Sequence, residues 1–250
     1  MLILFSMIAM RMSGMILFNP IFGSRTIPGR AKGALIMTFS MMLYMWTGGT
    51  LQHEPGSLFE YGVMLATELL MGFVLGFAVT LAVFAIRYAA AIIDFTMGLS
   101  MAQVYDPESR NQITVSSEML YVFLMLLFFA VNGHLRLVSI FFGSASMVPF
   151  GQAVFGPALY TAVLDIFRES ITLGVQLAFP IIAMELVTEA AVGIMMRMIP
   201  QINVFSINFQ IKIIVGMLML FFLFTPIAGR MGELLDGMFE NLRILLGLMG

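Results

Sequence analysis

The feature that most constrains this chain is a series of long apolar stretches carrying too few charges to present a surface to water. They fall near Leu2–Phe18, Ala34–Trp46, Tyr61–Ile86, Ala89–Val104, Met119–Val131, Ile171–Met198 and Ile211–Ala228. Hydrophobic residues make up 60% of the 250 residues and charged residues 10%. A soluble domain runs about 45–50% apolar and about 25% charged. The expected fold is therefore all-α and membrane-associated, with the helices in a bilayer or buried in an assembly within one. A last helix over about Met231–Leu248 reads as amphipathic: Glu233, Asp236, Glu240 and Arg243 recur at steps of three and four. Leu235, Met238, Leu242 and Leu245 occupy its other faces, which makes it a helix for a membrane interface or a docking surface. There is no fixed-period repeat and no low-complexity linker, so residues 1–250 read as a single polytopic helical domain.

As independent spans the segments fit poorly. A spanning helix needs about 20 mostly apolar residues, and Ala34–Trp46 and Met119–Val131 are shorter. Others carry ionisable groups: Glu68, Asp94, and the trio Glu185, Glu189 and Arg197. Facing lipid, each costs about 2.5–3.5 kcal/mol, so these side chains are expected to face protein or water.

Composition removes several function classes. A net charge of −2 and a pI near 5.7 give no basic footprint for nucleic acid. The absence of cysteine removes disulfides, thiolate metal sites and cysteine nucleophiles. The two histidines, His53 and His134, are too far apart in sequence to suggest a histidine-rich metal site. The apolar start from Met1 to Met10 lacks a basic flank and reads as a first membrane helix rather than a signal peptide. Methionine (25) and phenylalanine (24) are abundant. They suit either apolar bulk against lipid or a deformable seal between packed helices.

The connecting segments are informative in different ways. Asn19–Gly33 carries Arg25, Arg30 and Lys32 with no acid, which places it on the cytoplasmic side. Thr47–Glu60 carries Glu54 and Glu60 without Lys or Arg and suits the opposite side. Asp106–Ser117 is a polar island in which Pro107 pushes Asp106 out of helical geometry. Pro200–Ile211 holds Gln201, Asn203, Ser206, Asn208 and Gln210 but no charge between two apolar segments. An unpaired buried amide costs about 2–7 kcal/mol, so these amides need water or protein partners. Ser139–Pro157, with three glycines and two prolines, reads as a third break.

Glu185 and Glu189, four apart, share a helix face that Arg197 approaches. They suit either an ion relay or interhelical and inter-subunit pairing, and Arg87 with Asp94 invites the same two readings. Ser100, Asp106 and His134 follow the chain order of one hydrolase triad, but the strand–turn–helix that a nucleophile elbow requires is missing. Gly72 and Gly76 form a small-xxx-small motif that lets two helices approach closely. No Walker motif, dinucleotide fingerprint or zinc pattern occurs, so neither catalysis nor a cofactor is expected.

Four ordered motifs together resemble the FliR family of flagellar biosynthesis proteins. The first runs from Arg11 to Gly14 (RMSG), then Pro20 to Gly23 (PIFG), then Ile27, Pro28 and Lys32. The second is Gly98-Leu-Ser100 followed by Asp106-Pro107. The third is the turn Asn132-Gly-His-Leu135. The fourth runs from Arg197 to Phe205 (RMIPQINVF), with Lys212 and Gly216. The family usually carries further residues ahead of its first arginine-containing helix, and Arg136 and Gln210 stand where apolar residues are usual.

The resemblance implies a non-enzymatic subunit of the type III protein export gate, built of helical hairpins packed into a multi-subunit assembly. Implied partners are FliP-type and FliQ-type subunits, the FlhB-type switch protein and the FlhA-type export protein, with unfolded export substrates in transit. The implied location is the bacterial inner membrane at the flagellar basal body. The segment after Gly98-Leu-Ser100 is implied to plug the pore, through Val104, Asp106, Pro107, Glu108, Arg110, Asn111, Gln112 and Ile113. Inter-subunit or interhelical polar contacts are expected at Arg87, Asp94, Glu185, Glu189, Arg197, Gln201, Asn203 and Lys212. The equivalent subunit of a virulence-type injectisome, a small-solute transporter using Glu185 and Glu189, and a passive assembly scaffold remain as alternatives.

Overall fold

The computed structural model describes residues 2–24, 26–48, 54–99, 115–198 and 204–250. Among these residues there are helices and no strands. In chain order they are α1 (Leu2–Leu17), α2 (Gly29–Trp46), α3 (Leu58–Thr96), α4 (Val115–Ala130), α5 (Gly133–Met147), α6 (Pro157–Met198), α7 (Val204–Phe222) and α8 (Phe224–Met249). This is the all-α class expected from the hydropathy. α3 and α6 are each long and apolar enough to cross a membrane, and the pairs α4–α5 and α7–α8 add two more crossings if each is one broken span.

The helix ends follow local chemistry. At the start of α3, Ser57 Oγ accepts from the Glu60 N–H at 3.2 Å, while Glu60 Oε2 accepts from the Gly56 N–H at 2.7 Å. That is a variant of the capping box. Gly98, at φ +79°, closes the far end of the helix as only glycine does without strain. Asn132, at φ 57°, makes the break between α4 and α5; asparagine is one of the few other residues that tolerates this conformation. Pro157 opens α6 and Pro226 lies in the first turn of α8, where a missing N–H costs nothing.

Four boundaries differ from the hydropathy reading. Tyr61–Ile86 and Ala89–Val104 are not separate: α3 runs unbroken for 39 residues through Arg87 and Tyr88. No proline or glycine lies between Phe77 and Thr96, and a single charge on an outer face does not stop a helix. Ser139–Pro157 is not one long break, because α5 extends to Met147 with Gly143 inside it. The turn is confined to 148–156. α6 begins at Pro157 rather than near Ile171, and α7 begins at Val204, so Ser206, Asn208 and Gln210 are helical. At about 1.5 Å per residue, α3 and α6 span roughly 58 and 63 Å, about twice the hydrocarbon core of a bilayer.

The described residues form two compact units, each made of separated stretches. Unit 1 comprises 1–83, 131–168 and 235–250. Within it α1 and α3 run parallel: Ser6 meets Tyr61, Arg11 meets Glu68, and Thr80 Oγ1 donates to the Phe18 carbonyl. Their backbones nearly touch. A Cβ at Gly14 would lie 2.5 Å from the Leu69 carbonyl oxygen, and one at Gly72 would lie 2.8 Å from the Met15 nitrogen. The partner of the Gly72–Gly76 motif is thus α1. Met7, Met12, Met15 and Met71 are fully buried in this core, whereas Met37, Met41 and Met45 form an exposed stripe on α2. Methionine thus fills the core on α1 and α3 and lines an outer face on α2. The apolar face of α8 (Leu235, Met238, Leu242, Leu245) is buried on unit 1 itself. The helix is amphipathic as expected, but this face is already occupied.

Unit 2 comprises 84–130 and 169–234. Here α6 and α7 form an antiparallel hairpin. Glu189 meets Lys212 near one end, and Leu177 and Pro180 approach Leu223 and Ile227 near the other. Gly174 allows α6 to pack on Ala85 and Tyr88 of α3, and Gly216 allows α7 to pack on Met97.

Candidate functional site

Two buried polar centres stand out, one in each unit. The first is built on Arg11. Its guanidinium is fully buried. Nε and Nη2 donate to the two carboxylate oxygens of Glu68, the latter at 3.0 Å. Nη1 donates to the carbonyl oxygens of Ser144 and Val148 at 3.1 and 2.9 Å. The Gly151 N–H donates to Glu68 Oε1 at 2.7 Å, and the Phe150 ring stacks 4.1 Å from the guanidinium carbon. A bidentate Arg–carboxylate pair of this kind is strong because desolvation is compensated on both sides. Its donors and acceptors are spent on α1, α3, α5 and the 148–151 turn. The centre is a structural lock.

The second centre lies in unit 2, where the α6–α7 hairpin meets the C-terminal end of α3. A pocket of about 430 Å³ is bordered there by Phe95, Gly98, Glu185, Leu186, Phe209 and Lys212, among others. Lys212 Nζ pairs with Glu189 at 3.4 Å. Glu185, one turn earlier on α6, is 3% exposed, and neither of its carboxylate oxygens has a hydrogen-bond partner among the described residues. Asn208 Oδ1 is buried and unbonded in the same way. The pocket thus places two carboxylates beside one ammonium, with one carboxylate unsatisfied.

The polar residues singled out in the sequence fall in different places. Glu185, Glu189 and Lys212 come together at this pocket. Arg87 is exposed on α3 with its guanidinium 4.1 Å from the Tyr121 ring centre. Asp94 is fully buried, with no hydrogen bond to either oxygen among the described residues. Arg87 and Asp94, seven residues apart and about two turns along α3, therefore sit in different surroundings, one exposed and one buried. Arg197 is exposed in the last turn of α6 and is not among the residues that border this pocket. Gln201 and Asn203 lie outside the described residues, as do the expected plug residues Val104, Asp106, Pro107, Glu108, Arg110, Asn111, Gln112 and Ile113. Ser100 and Asp106 of the discarded hydrolase order lie outside them too.

The Arg11–Glu68 pair was missed as a pair. Its signal was present: two lone charges of opposite sign, each inside an apolar helix, are expected to find each other. Arg136 departs from the family pattern, and the structure supplies its partners on α8. Its Nη1 donates to Asp236 Oδ1 at 2.9 Å, and Phe239 lies 5.6 Å from the guanidinium.

Chemically, the unit 2 pocket can hold positive charge against Glu185. No group of three or more His, Asp or Glu side chains capable of holding a metal ion occurs among the described residues.

Comparison with known proteins gives a consistent picture. The chain matches the sequence profile of the bacterial export proteins, family 1, over residues 2–238. It is similar to the flagellar biosynthetic protein FliR of Escherichia coli (strain K12), 30% identical over 235 residues, covering 93% of this chain and 88% of that protein. Similarity to the FliR of Bacillus subtilis (strain 168) is 28% over 251 residues, covering 98% and 95%. For the FliR of Buchnera aphidicola subsp. Baizongia pistaciae it is 29% over 222 residues, covering 88% and 84%.

Proposed function

This chain belongs to the bacterial export proteins, family 1, and within it to the FliR family; on that premise we propose that it is a membrane-embedded subunit of the flagellar type III export gate. The observation that carries the reading is the match over nearly the whole chain, residues 2–238. The physical character of the chain agrees with it. α2, α6 and α7 expose large apolar side chains such as Met45, Trp46, Leu186, Val187, Phe221 and Phe222. These need lipid or neighbouring subunits. Polar groups such as Glu185 sit where lipid alone would leave them unsatisfied.

In this reading the chain is a transport component rather than an enzyme. Its neighbours are FliP-type and FliQ-type subunits together with the FlhB-type and FlhA-type proteins, in the inner membrane at the flagellar basal body. The segment from Val104 to Ile113, which follows the αL turn at Gly98, plugs the pore around Asp106 and Pro107. A pore that passes unfolded polypeptide must stay closed to ions at rest. A polar loop pinned by proline and flanked by apolar side chains can block it and still be displaced, and apolar constrictions also close by dewetting.

The test is co-expression with the FliP-type and FliQ-type proteins of the same genome in mild detergent. One stable complex on a native gel, with the chain aggregating or degraded when alone, is the expected result. A monodisperse chain indifferent to those partners would remove the export-gate reading. Deleting 104–113 is expected to leave the complex intact and to make cells leak ions. Normal sealing after that deletion would remove the plug.

A further inference from the structure

We propose that the pocket beside Glu185 receives a cationic side chain, Lys or Arg, from a helix of a neighbouring subunit. The inference deepens the export-gate reading and rests on it. It starts from Glu185, which is 3% exposed and borders an open pocket without any hydrogen bond to its carboxylate among the described residues. A buried carboxylate in this state either holds a proton or takes a compensating partner, and the ionised form is stable only with the partner. The internal candidate is shared: Lys212 pairs with Glu189 at 3.4 Å and acts on Glu185 only as a nearby charge, without a hydrogen bond to it. Among the described residues, one ammonium stands beside two carboxylates, so with both ionised one negative charge lacks a paired cation.

The shape of the pocket selects the kind of cation. Its volume of about 430 Å³ is ample for a long side chain, and Phe95, Ile182, Leu186 and Phe209 give it apolar walls. A Lys or Arg side chain is built for such a place, with a hydrocarbon stem to bury and a charged head to deliver. A bare metal ion is not, since the described residues contain no cluster of three metal-ligating side chains. Asn208 Oδ1, also buried and unbonded, supplies a second acceptor for a multidentate donor head.

The surface around the pocket is that of an interface. Phe95 is 74% exposed and Leu186 61%, and both border the opening. Lipid tails would cover these side chains but would leave Glu185 uncompensated. A protein helix does both: its apolar face covers Phe95 and Leu186, and one basic side chain enters the pocket.

The experiment uses the detergent-solubilised export-gate complex, with a photo-crosslinking amino acid at Leu186. The expected adduct joins this chain to a neighbouring subunit's peptide that contains Lys or Arg. Glu185→Gln is expected to lower both adduct and complex yield about tenfold or more, the size seen when one member of a buried charge pair is removed. Glu185→Asp, which keeps the charge, should retain most of both. The inference is overturned if Glu185→Gln leaves adduct and yield unchanged. It is equally overturned if Glu185→Gln and Glu185→Asp lose them alike, or if the adduct forms only with lipid or a second copy of this chain. Failure of the unaltered chain to enter any complex is a separate result, which would remove the export-gate reading and this inference with it.

Discussion

At the scale of single residues, the energetics turn on whether a buried charge is satisfied. Arg11 and Glu68 are both fully buried, and every contact around them compensates the other. Removing one partner strands the other, at a cost of about 3–5 kcal/mol, whereas replacing both with apolar residues of similar volume is often neutral. Arg11→Ala or Glu68→Ala should therefore lower the thermal stability of the detergent-solubilised chain sharply, and Arg11→Met combined with Glu68→Leu should recover most of the loss. A double variant as unstable as the singles would show that the pair contributes more than mutual neutralisation. Arg136 and Asp236 present the opposite case: both side chains are more than half exposed, so the pair contributes about 0–1 kcal/mol. The sequence marked Glu68 as an awkward charge in an apolar helix but did not pair it with Arg11. A hydrogen bond between residues 57 positions apart leaves no local trace.

At the scale of elements, glycine content means different things in different helices. Gly14 and Gly72 let α1 and α3 approach until their backbones touch. Gly143, inside α5, faces open space in unit 1. Gly14→Val should push α1 off α3, disturb the neighbouring Arg11–Glu68 pair and abolish cooperative melting. Gly143→Ala should be tolerated and gain about 0.5–1 kcal/mol of helix stability. Circular dichroism melts of the two variants in the same detergent distinguish them, and equal behaviour would refute the close-approach account. The Gly72–Gly76 spacing signalled close helix packing in the sequence, yet only the fold identified α1 as the partner. The same glycine ambiguity hid α5. A run with Gly143, Gly151, Gly156, Pro149 and Pro157 reads as a break, although the actual turn is confined to 148–156. Arg87 had the reverse effect on the reading of α3. A charge in an apolar run suggested an end, but it sits on an outer face over Tyr121 and the helix continues.

At the scale of the whole molecule, the chain exposes more apolar surface than water tolerates. Trp46 is 60% exposed, Phe59 83% and Phe222 71%, and many others join them. Exposed apolar patches of this extent mark lipid or partner contacts. The chain is expected to remain with the membrane fraction through an alkaline carbonate wash. Release into the supernatant would show that partners, rather than the bilayer, cover that surface. Two helices of about twice the bilayer thickness add a second constraint, because neither α3 nor α6 fits wholly within a hydrocarbon core of about 30 Å. Parts of both must lie against protein or in the headgroup region and beyond.

The sequence by itself determined the class of molecule. Helical hydropathy, the shortage of charge and four ordered motifs specify an all-α membrane protein of the FliR family, because each of these is a local or compositional property that survives without a fold. It also marked Glu185, Glu189 and Lys212 as polar residues in need of partners. Only the tertiary structure decided how those needs are met. It satisfied Arg11 from Glu68 and from carbonyls as far as 137 positions away, gave Lys212 to Glu189, and left Glu185 buried beside an open pocket. Burial and pairing depend on which distant side chains meet across helices, and helical periodicity fixes the face a residue occupies but not what packs against that face.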